Sequence, residues 1–431
     1  MGRQRDTELG RGSIMAEGGY RIAFRPEGAG DRLLSFPAMR RLQLTTGGES
    51  HGPGLTALLT GLPAGLRVDL DLLAHDLARR QHGYGRGRRM QIEKDTAEIR
   101  GGVRGGETLG SPIALWIANR DYANWEKVMG PEEVDPRLAE LRRLKSPRPG
   151  HTDLAGGIKY DRRDLRDVLE RASARETTAR VAAGAFARML LREFGVEIRS
   201  GVRFLGPIGA DSPPPTWEDL LKVDETSPLR AIDRALEPEM VRLVDQAKEE
   251  GDTLGGAVTV IAHHVPPGLG SHVQWDEKLD GRLAQAILSI HAVKGVEIGS
   301  GIAASRGFGS VAHDAIERGE GRWTRPTNRA GGLEGGVTNG EDVVITAYKK
   351  PIATLRKGLP SVDLDTLEPH ASQYERSDVT ALPAAGVIAE AMVALVLADA
   401  LLEKLGGDSM AEVKAHWEAT MALQKAWPGG V

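Results

Sequence analysis

Residues 164–205 read DLRDVLERASARETTARVAAGAFARMLLREFGVEIRSGVRFL, and this stretch decides the fold. Leu165, Val168, Leu169, Ala172, Ala179, Ala183, Phe186 and Leu190 recur at helical spacing, so one long helix is predicted over 164–194. Gly195 stands where a helix ends in a left-handed glycine. The run from Val196 to Leu205 then alternates like a strand. A long amphipathic helix feeding straight into a strand means that helices and strands share one core.

The same signals extend outward in both directions. Strands are predicted over 41–46, 97–103, 113–117, 196–205, 257–265 and 342–348. The apolar run 55–62 fits either a helix start or a second buried element. Helices are predicted from Asp69, a fitting N-cap, to near Gly83, then over 239–250, 279–290, 383–405 and 410–427. Residues 206–238 carry prolines and read as an irregular surface insertion. The elements interleave without the short-loop rhythm of a doubly wound sheet, and no solenoid-period repeat is evident, so the class is α+β. Residues 1–38 are rich in Gly and Arg without a period and read as a poorly ordered extension. Met39 is a natural alternative start, with 39–431 as a single domain.

Composition narrows the function. The 431 residues carry 56 basic and 60 acidic side chains, a net charge of −4 that argues against a dedicated nucleic-acid binder. The absence of cysteine rules out disulfides, iron–sulfur clusters and thiolate zinc sites, and is compatible with a cytoplasmic protein. The most apolar run, 384–402, contains Glu390 and Asp399, which a membrane span tolerates poorly; a buried helix fits better. No H-E-x-x-H, no G-x-S-x-G, no Walker lysine and no dinucleotide-binding glycine unit is present. His263 and His264, adjacent on a strand, are expected to point apart.

Several segments carry chemistry. In G-G-E-S-H-G-P-G (47–54), His51 sits among glycines that let a ligand approach, or in an incidental surface turn. R-R-Q-H-G-Y-G-R-G-R-R (79–89) fits a solvated basic loop, a short RNA-binding tract, or a clamp on a multiply anionic small molecule. R-P-G-H-T-D (148–153) projects Arg148 and His151 from a fixed turn. Ser173 and Arg175 interrupt the long helix's apolar pattern, as a solvated face or as donors to a passing anion. N-R-A-G-G-L-E-G-G-V-T-N-G (328–340) could bring backbone close to a flat ligand. R-S-D-V (376–379) offers a buried Arg–Asp pair, an N-cap, or a carboxylate tuning a proton carrier.

Taken together, segments 48–65, 170–186 and 376–392, with G-Y-G-R-G, R-P-G-H and N-R-A-G-G-L-E-G-G, closely resemble the chorismate synthase family from about Arg40 onward. The resemblance implies a β-α-β sandwich, helices packed between antiparallel sheets, assembled as a homotetramer without nucleic acid or membrane. It implies the anti-1,4-elimination of phosphate from 5-enolpyruvylshikimate 3-phosphate to give chorismate, the last step of the shikimate pathway, dependent on reduced FMN. His51 would protonate the leaving phosphate, His151 would manage flavin charge, and Asp378 would assist removal of the ring proton. Arg80, Arg86, Arg89 and Arg148 would face substrate, Arg80 and Arg86 also being the positions that relatives give to NADPH. Ser173, Ala174, Arg175, His291, Ala292, Gly335, Lys350, Pro351, Ile352, Ala353, Thr354 and Arg376 would bind flavin or substrate, with no metal. The sequence leaves two other readings open: a flavin-dependent oxidoreductase on the same site, and a non-catalytic anion or RNA binder.

Overall fold

The computed structural model describes residues 41–86, 94–224, 226–319, 323–375 and 378–428. The extension 1–38 and residues Arg89 and Arg376 lie outside them. Strands of four or more residues are β1 (Gln43–Gly47), β2 (Gly54–Thr60), β3 (Glu98–Gly101), β4 (Ile113–Ala118), β5 (Glu197–Leu205), β6 (Gly256–His263), β7 (Val293–Ile298) and β8 (Val343–Lys349). Helices of seven or more are α1 (Leu70–Gln81), α2 (Pro136–Arg142), α3 (Asp153–Tyr160), α4 (Arg166–Ala172), α5 (Thr177–Arg192), α6 (Glu237–Glu250), α7 (Leu279–Leu288), α8 (Leu382–Leu405) and α9 (Met410–Ala426).

Two antiparallel four-stranded sheets form, ordered β1-β2-β4-β3 and β5-β6-β8-β7. Helix α5 packs on β2 and β4 of the first sheet, α8 on β5 and β6 of the second, and α5 on α8 between them. The helices cross at Gly184, where a Cβ would lie 2.4 Å from the Ala391 Cβ, so only glycine admits this approach. The α+β sandwich is therefore realised, with the run 55–62 resolved as a strand. Helix α8 is long and apolar enough to span a membrane, yet it is buried between layers. Its two buried acids have buried partners. Glu390 accepts from both Arg79 amino groups (2.7 Å each) and from Ser200 Oγ (2.6 Å), while Asp399 accepts from Arg282 Nη2 (2.6 Å) and Leu42 N (2.7 Å).

The long helix predicted over 164–194 is not continuous. Ser173 adopts an extended backbone (φ −70°, ψ 141°) between α4 and α5, and its hydroxyl accepts from Arg175 N at 3.3 Å. Serine competes with helical bonding through its own side chain, and here it restarts the helix. The insertion 206–238 is irregular, but its helical turn Trp217–Leu221 buries Trp217 and Leu220 against Ile261. His263 and His264 do not point apart: His264 turns to φ 59° at the strand end, and the rings sit 3.8 Å apart.

The two sheets are versions of one plan. G-G-V-R-G-G-E-T-L-G (101–110) follows β3, and G-G-L-E-G-G-V-T-N-G (331–340) precedes β8. Thr108 Oγ1 donates to Pro63 O (2.6 Å) and accepts from Leu66 N (2.9 Å); Thr338 does the same with Pro266 O (2.7 Å) and Leu269 N (2.8 Å). The core faces of α1 (Leu73, Asp76, Leu77, Arg80) and α7 (Leu279, Arg282, Leu283, Ala286) share one spacing. In the first half Asp76 of α1 binds Arg188 of α5, whereas in the second Arg282 of α7 binds Asp399 of α8, with the charges exchanged.

Candidate active site

The His51 loop joins β1 to β2 and is pinned from two sides. Asn119 Nδ2 donates to Ser50 O and Gly52 O at 2.9 Å each. From α4, Glu170 O accepts from Ser50 N (2.9 Å) and Glu170 Oε2 accepts from His51 N (2.8 Å). His51 Nδ1 lies 2.9 and 3.0 Å from the two Glu170 oxygens, and the imidazole stacks on Trp125 at 3.9 Å between centroids. Arg166 Nη1 donates to Glu170 (3.1 Å) and Nη2 to Glu375 (2.8 Å). Burial would push the Glu170 carboxyl up; the bonds from His51 and the charge of Arg166 outweigh it and hold the group below the ordinary range.

His151 is held in a similar way. Its Nδ1 lies 2.6 Å from Asp153 Oδ1, and Arg148 grips the same carboxylate through Nε (2.7 Å) and Nη2 (2.9 Å). Burial is the largest influence on Asp153, but Arg148 and His151 reverse it and keep the group well below the usual carboxylate range. Arg148 Nη1 donates to Thr354 Oγ1 (2.8 Å), Lys350 Nζ to Gly150 O (2.5 Å) and Lys350 N to Ala292 O (2.9 Å). Three segments far apart in sequence, 148–153, 291–292 and 350–354, thus meet, bringing Pro351, Ile352 and Ala353 with them. Ala292 takes φ 66°, a strained conformation for a residue with a Cβ.

Two arginine clusters adjoin. Arg86 Nη1 lies 3.2 Å from Asp378, and Val379 N donates to Gly85 O (2.8 Å), tying the G-Y-G-R segment to R-S-D-V as an ion pair rather than as a helix cap. Lys349 interacts with both Asp378 and Arg86, and burial pushes its pKa down to about 8. Arg80 is buried and donates to Ala174 O (2.9 Å), Thr177 Oγ1 (3.1 Å) and Asp95 (3.4 Å), while Arg175 pairs with the other Asp95 oxygen. Burial pushes His291 down to about 4, near the charges of Glu176, Arg180, Lys349 and Arg80; its Nδ1 is buried without a hydrogen-bond partner among the described residues. An orphaned ring nitrogen beside a strained residue, with cations around, fits a polar, anionic ring system such as a reduced flavin.

The structure therefore brings together His151, Arg148, Ala292 and Lys350–Thr354, and separately Arg86 with Asp378, Arg80 with Ala174 and Arg175, and His51 with the helix that precedes Ser173. It does not bring Gly335 to them. The hairpin 333–338 caps the start of α7, where Leu279 N donates to Gly336 O (2.9 Å), and His291 follows the other end of that helix, about 15 Å away at 1.5 Å per residue. The glycines at 331–332 serve backbone contact, since a Cβ on Gly331 would lie 2.3 Å from Gly299 N. Sequence reading missed Glu170, Asp153, Asp95, Trp125 and Lys349 as members of the site. Only Asp153, two residues after His151, gave a local signal.

The chorismate synthase family model matches residues 42–402. Chorismate synthase of Carboxydothermus hydrogenoformans is 54% identical over 374 residues, covering 86% of this chain and 96% of the relative. That of Geobacter sulfurreducens is 52% identical over 394 residues, covering 90% and 100%. A crystal structure of chorismate synthase superposes with a TM-score of 0.71 at 44% identity, covering 90% of this chain and 99% of that one. With its sandwich fold, its paired histidine loops and these matches across most of its length, the chain belongs to the chorismate synthase family.

Proposed function

We propose that the protein eliminates phosphate from 5-enolpyruvylshikimate 3-phosphate to give chorismate, with His51, His151 and Asp378 handling protons. The observation that carries this reading is the pair of histidines, each tied through Nδ1 to a buried carboxylate, in a site crowded with arginine and lysine. A substrate with one phosphate and two carboxylates calls for such a field. Arg86 and Arg89 bind these anionic groups. Arg80, Arg148 and Arg175 engage Asp95, Asp153 and Thr354 and act by fixing the walls. His51 donates a proton to the departing phosphate, and Asp378, held by Arg86, assists loss of the ring proton. The net change is one C–H and one C–O bond broken and one C=C π bond gained, with the C–O electron pair leaving on phosphate and no oxidant consumed.

Reduced FMN, when bound, supplies transient electron density to the allylic system. Ser173, Ala174, Arg175, His291, Ala292, Lys350–Thr354 and Arg376 hold it, and His151 balances its charge. This chemistry is placed in a homotetramer, in which the Gly335 hairpin would serve a neighbouring copy's site. NADPH keeps the flavin reduced, directly or through a separate reductase, in the cytoplasm. The test is anaerobic: protein, reduced FMN and substrate are mixed, and phosphate and chorismate are followed. Equimolar release without stoichiometric NADPH use is expected. Absence of phosphate release would sink the proposal, and net hydride consumption would mark a flavin oxidoreductase instead.

A further inference from the structure

We propose that Glu170 is the positioning residue of His51, fixing its proton on Nδ1 so that the proton it delivers is the one on Nε2. This rests on the reading of His51 as the acid toward phosphate. The geometry is that of an orienting carboxylate. Both Glu170 oxygens lie within 3.0 Å of Nδ1, and one of them also accepts from His51 N. The Glu170 carbonyl holds the preceding residue as well, so one glutamate sets backbone and ring together. The glutamate has no freedom to leave: its side chain is fully buried, and Arg166 from the same helix donates to it at 3.1 Å.

The remaining contacts point the same way. Trp125 covers one face of the imidazole, and the Arg142 and Arg166 guanidiniums lie 4.5 and 5.1 Å from the Trp125 ring centroid. Charged groups about the histidine loop, among the described residues, include Glu170 and Arg166 from α4, Arg142 from α2 over Trp125, Glu49 in the loop itself, Arg171 bonded to Gly48 O, and Glu375 bonded to Arg166. Glu170 hydrogen-bonds the ring through both carboxylate oxygens. A carboxylate there accepts from Nδ1–H, which fixes the tautomer and leaves Nε2 as the nitrogen that carries the delivered proton. The Ser173 break leaves α4 as a separate two-turn helix, with Glu170 facing the loop.

The test uses full-length protein with reduced FMN and substrate. A rate that needs a protonated acid falls as pH rises. In Glu170→Gln this alkaline limb is expected to move to lower pH, so that the variant's deficit is larger at pH 8 than at acid pH. A purely structural role would lower the rate at every pH and leave the limb in place, and that result overturns the proposal. A second measurement needs no variant at Glu170. In histidine-15N-labelled wild type at alkaline pH, the His51 resonances, assigned by their loss in His51→Gln, are expected to report the Nδ1–H tautomer. An Nε2–H tautomer overturns the proposal even if Glu170→Gln fails to fold. Wild-type turnover in His51→Gln would instead sink the acid role of His51, while the tautomer measurement would still judge Glu170.

Discussion

Replacing Asp153 by Asn keeps the shape of the side chain and removes its charge. Arg148, 5% exposed, would then be buried beside an amide. Breaking one side of a buried ion pair costs about 3–5 kcal/mol. Unfolding entropy of about 2.1 cal/mol/K per residue over a chain of this length means that each kcal/mol moves Tm by about 1 °C. The variant is therefore expected to melt about 3–6 °C below wild type by differential scanning fluorimetry at pH 7. The folded carboxyl titrates well below its unfolded value of about 3.9. Its contribution is thus complete above that value and fades as pH falls below it, so the Tm gap should hold from pH 8 to 5 and narrow progressively under pH 4. Arg148→Met with Asp153→Asn removes both charges and should recover most of the Tm. Turnover should stay down roughly 10²-fold in both variants, because His151 and the Thr354 segment lose their anchor. A Tm drop under about 1 °C, or a gap unchanged at pH 3, would refute the clamp.

His51→Ala and His151→Ala are each expected to slow chorismate formation by roughly 10²–10⁴-fold without abolishing flavin binding, read by stopped-flow absorbance. Lys349, with its pKa at about 8, carries a charge at pH 7 that burial disfavours. Lys349→Met should raise Tm at pH 7, and the gain should vanish above about pH 10, where folded and unfolded lysine are both neutral. Gly184→Val forces α5 from α8 and should cost about 1–3 kcal/mol in denaturant melts, with no change in m. Glu390→Gln removes the buried charge opposite Arg79, which keeps Asp76, and should cost about 3–5 kcal/mol, measured the same way.

Much of the fold is written in local signals. Asp69 caps α1, accepting from Leu72 N, and Gly251 ends α6 at φ 72°, as their positions in the sequence imply. Glu390 and Asp399 argue correctly for a buried helix. The break at Ser173 escapes periodicity, because Leu165–Ala172 and Ala179–Leu190 keep compatible apolar faces on either side of one extended residue. The site histidines stand out by their glycine-rich loops, but their carboxylates do not. Glu170 looks like any helical glutamate until the sheet places it 119 positions from its partner. Gly335 sits in a motif that matches the family, while its distance from His291 is set by the length of α7, which no motif records.

The exchanged ion pairs, Asp76 with Arg188 and Arg282 with Asp399, bear on how the chain finds its own topology. Two halves built to one plan invite a wrong match, in which α7 settles on α5, or α1 on α8. Either error would bury like charges together, Arg282 against Arg188 or Asp76 against Asp399, at a cost of several kcal/mol. The reversal acts as a lock between otherwise interchangeable parts, selecting against the swapped partner rather than strengthening the correct one. A chain with Asp76→Arg and Arg188→Asp would keep that pair and lose the discrimination, and it would also break the Asp76–Arg79 and Arg188–Glu390 pairs. Its cost should therefore appear in refolding yield as well as in the stability of the molecules that fold.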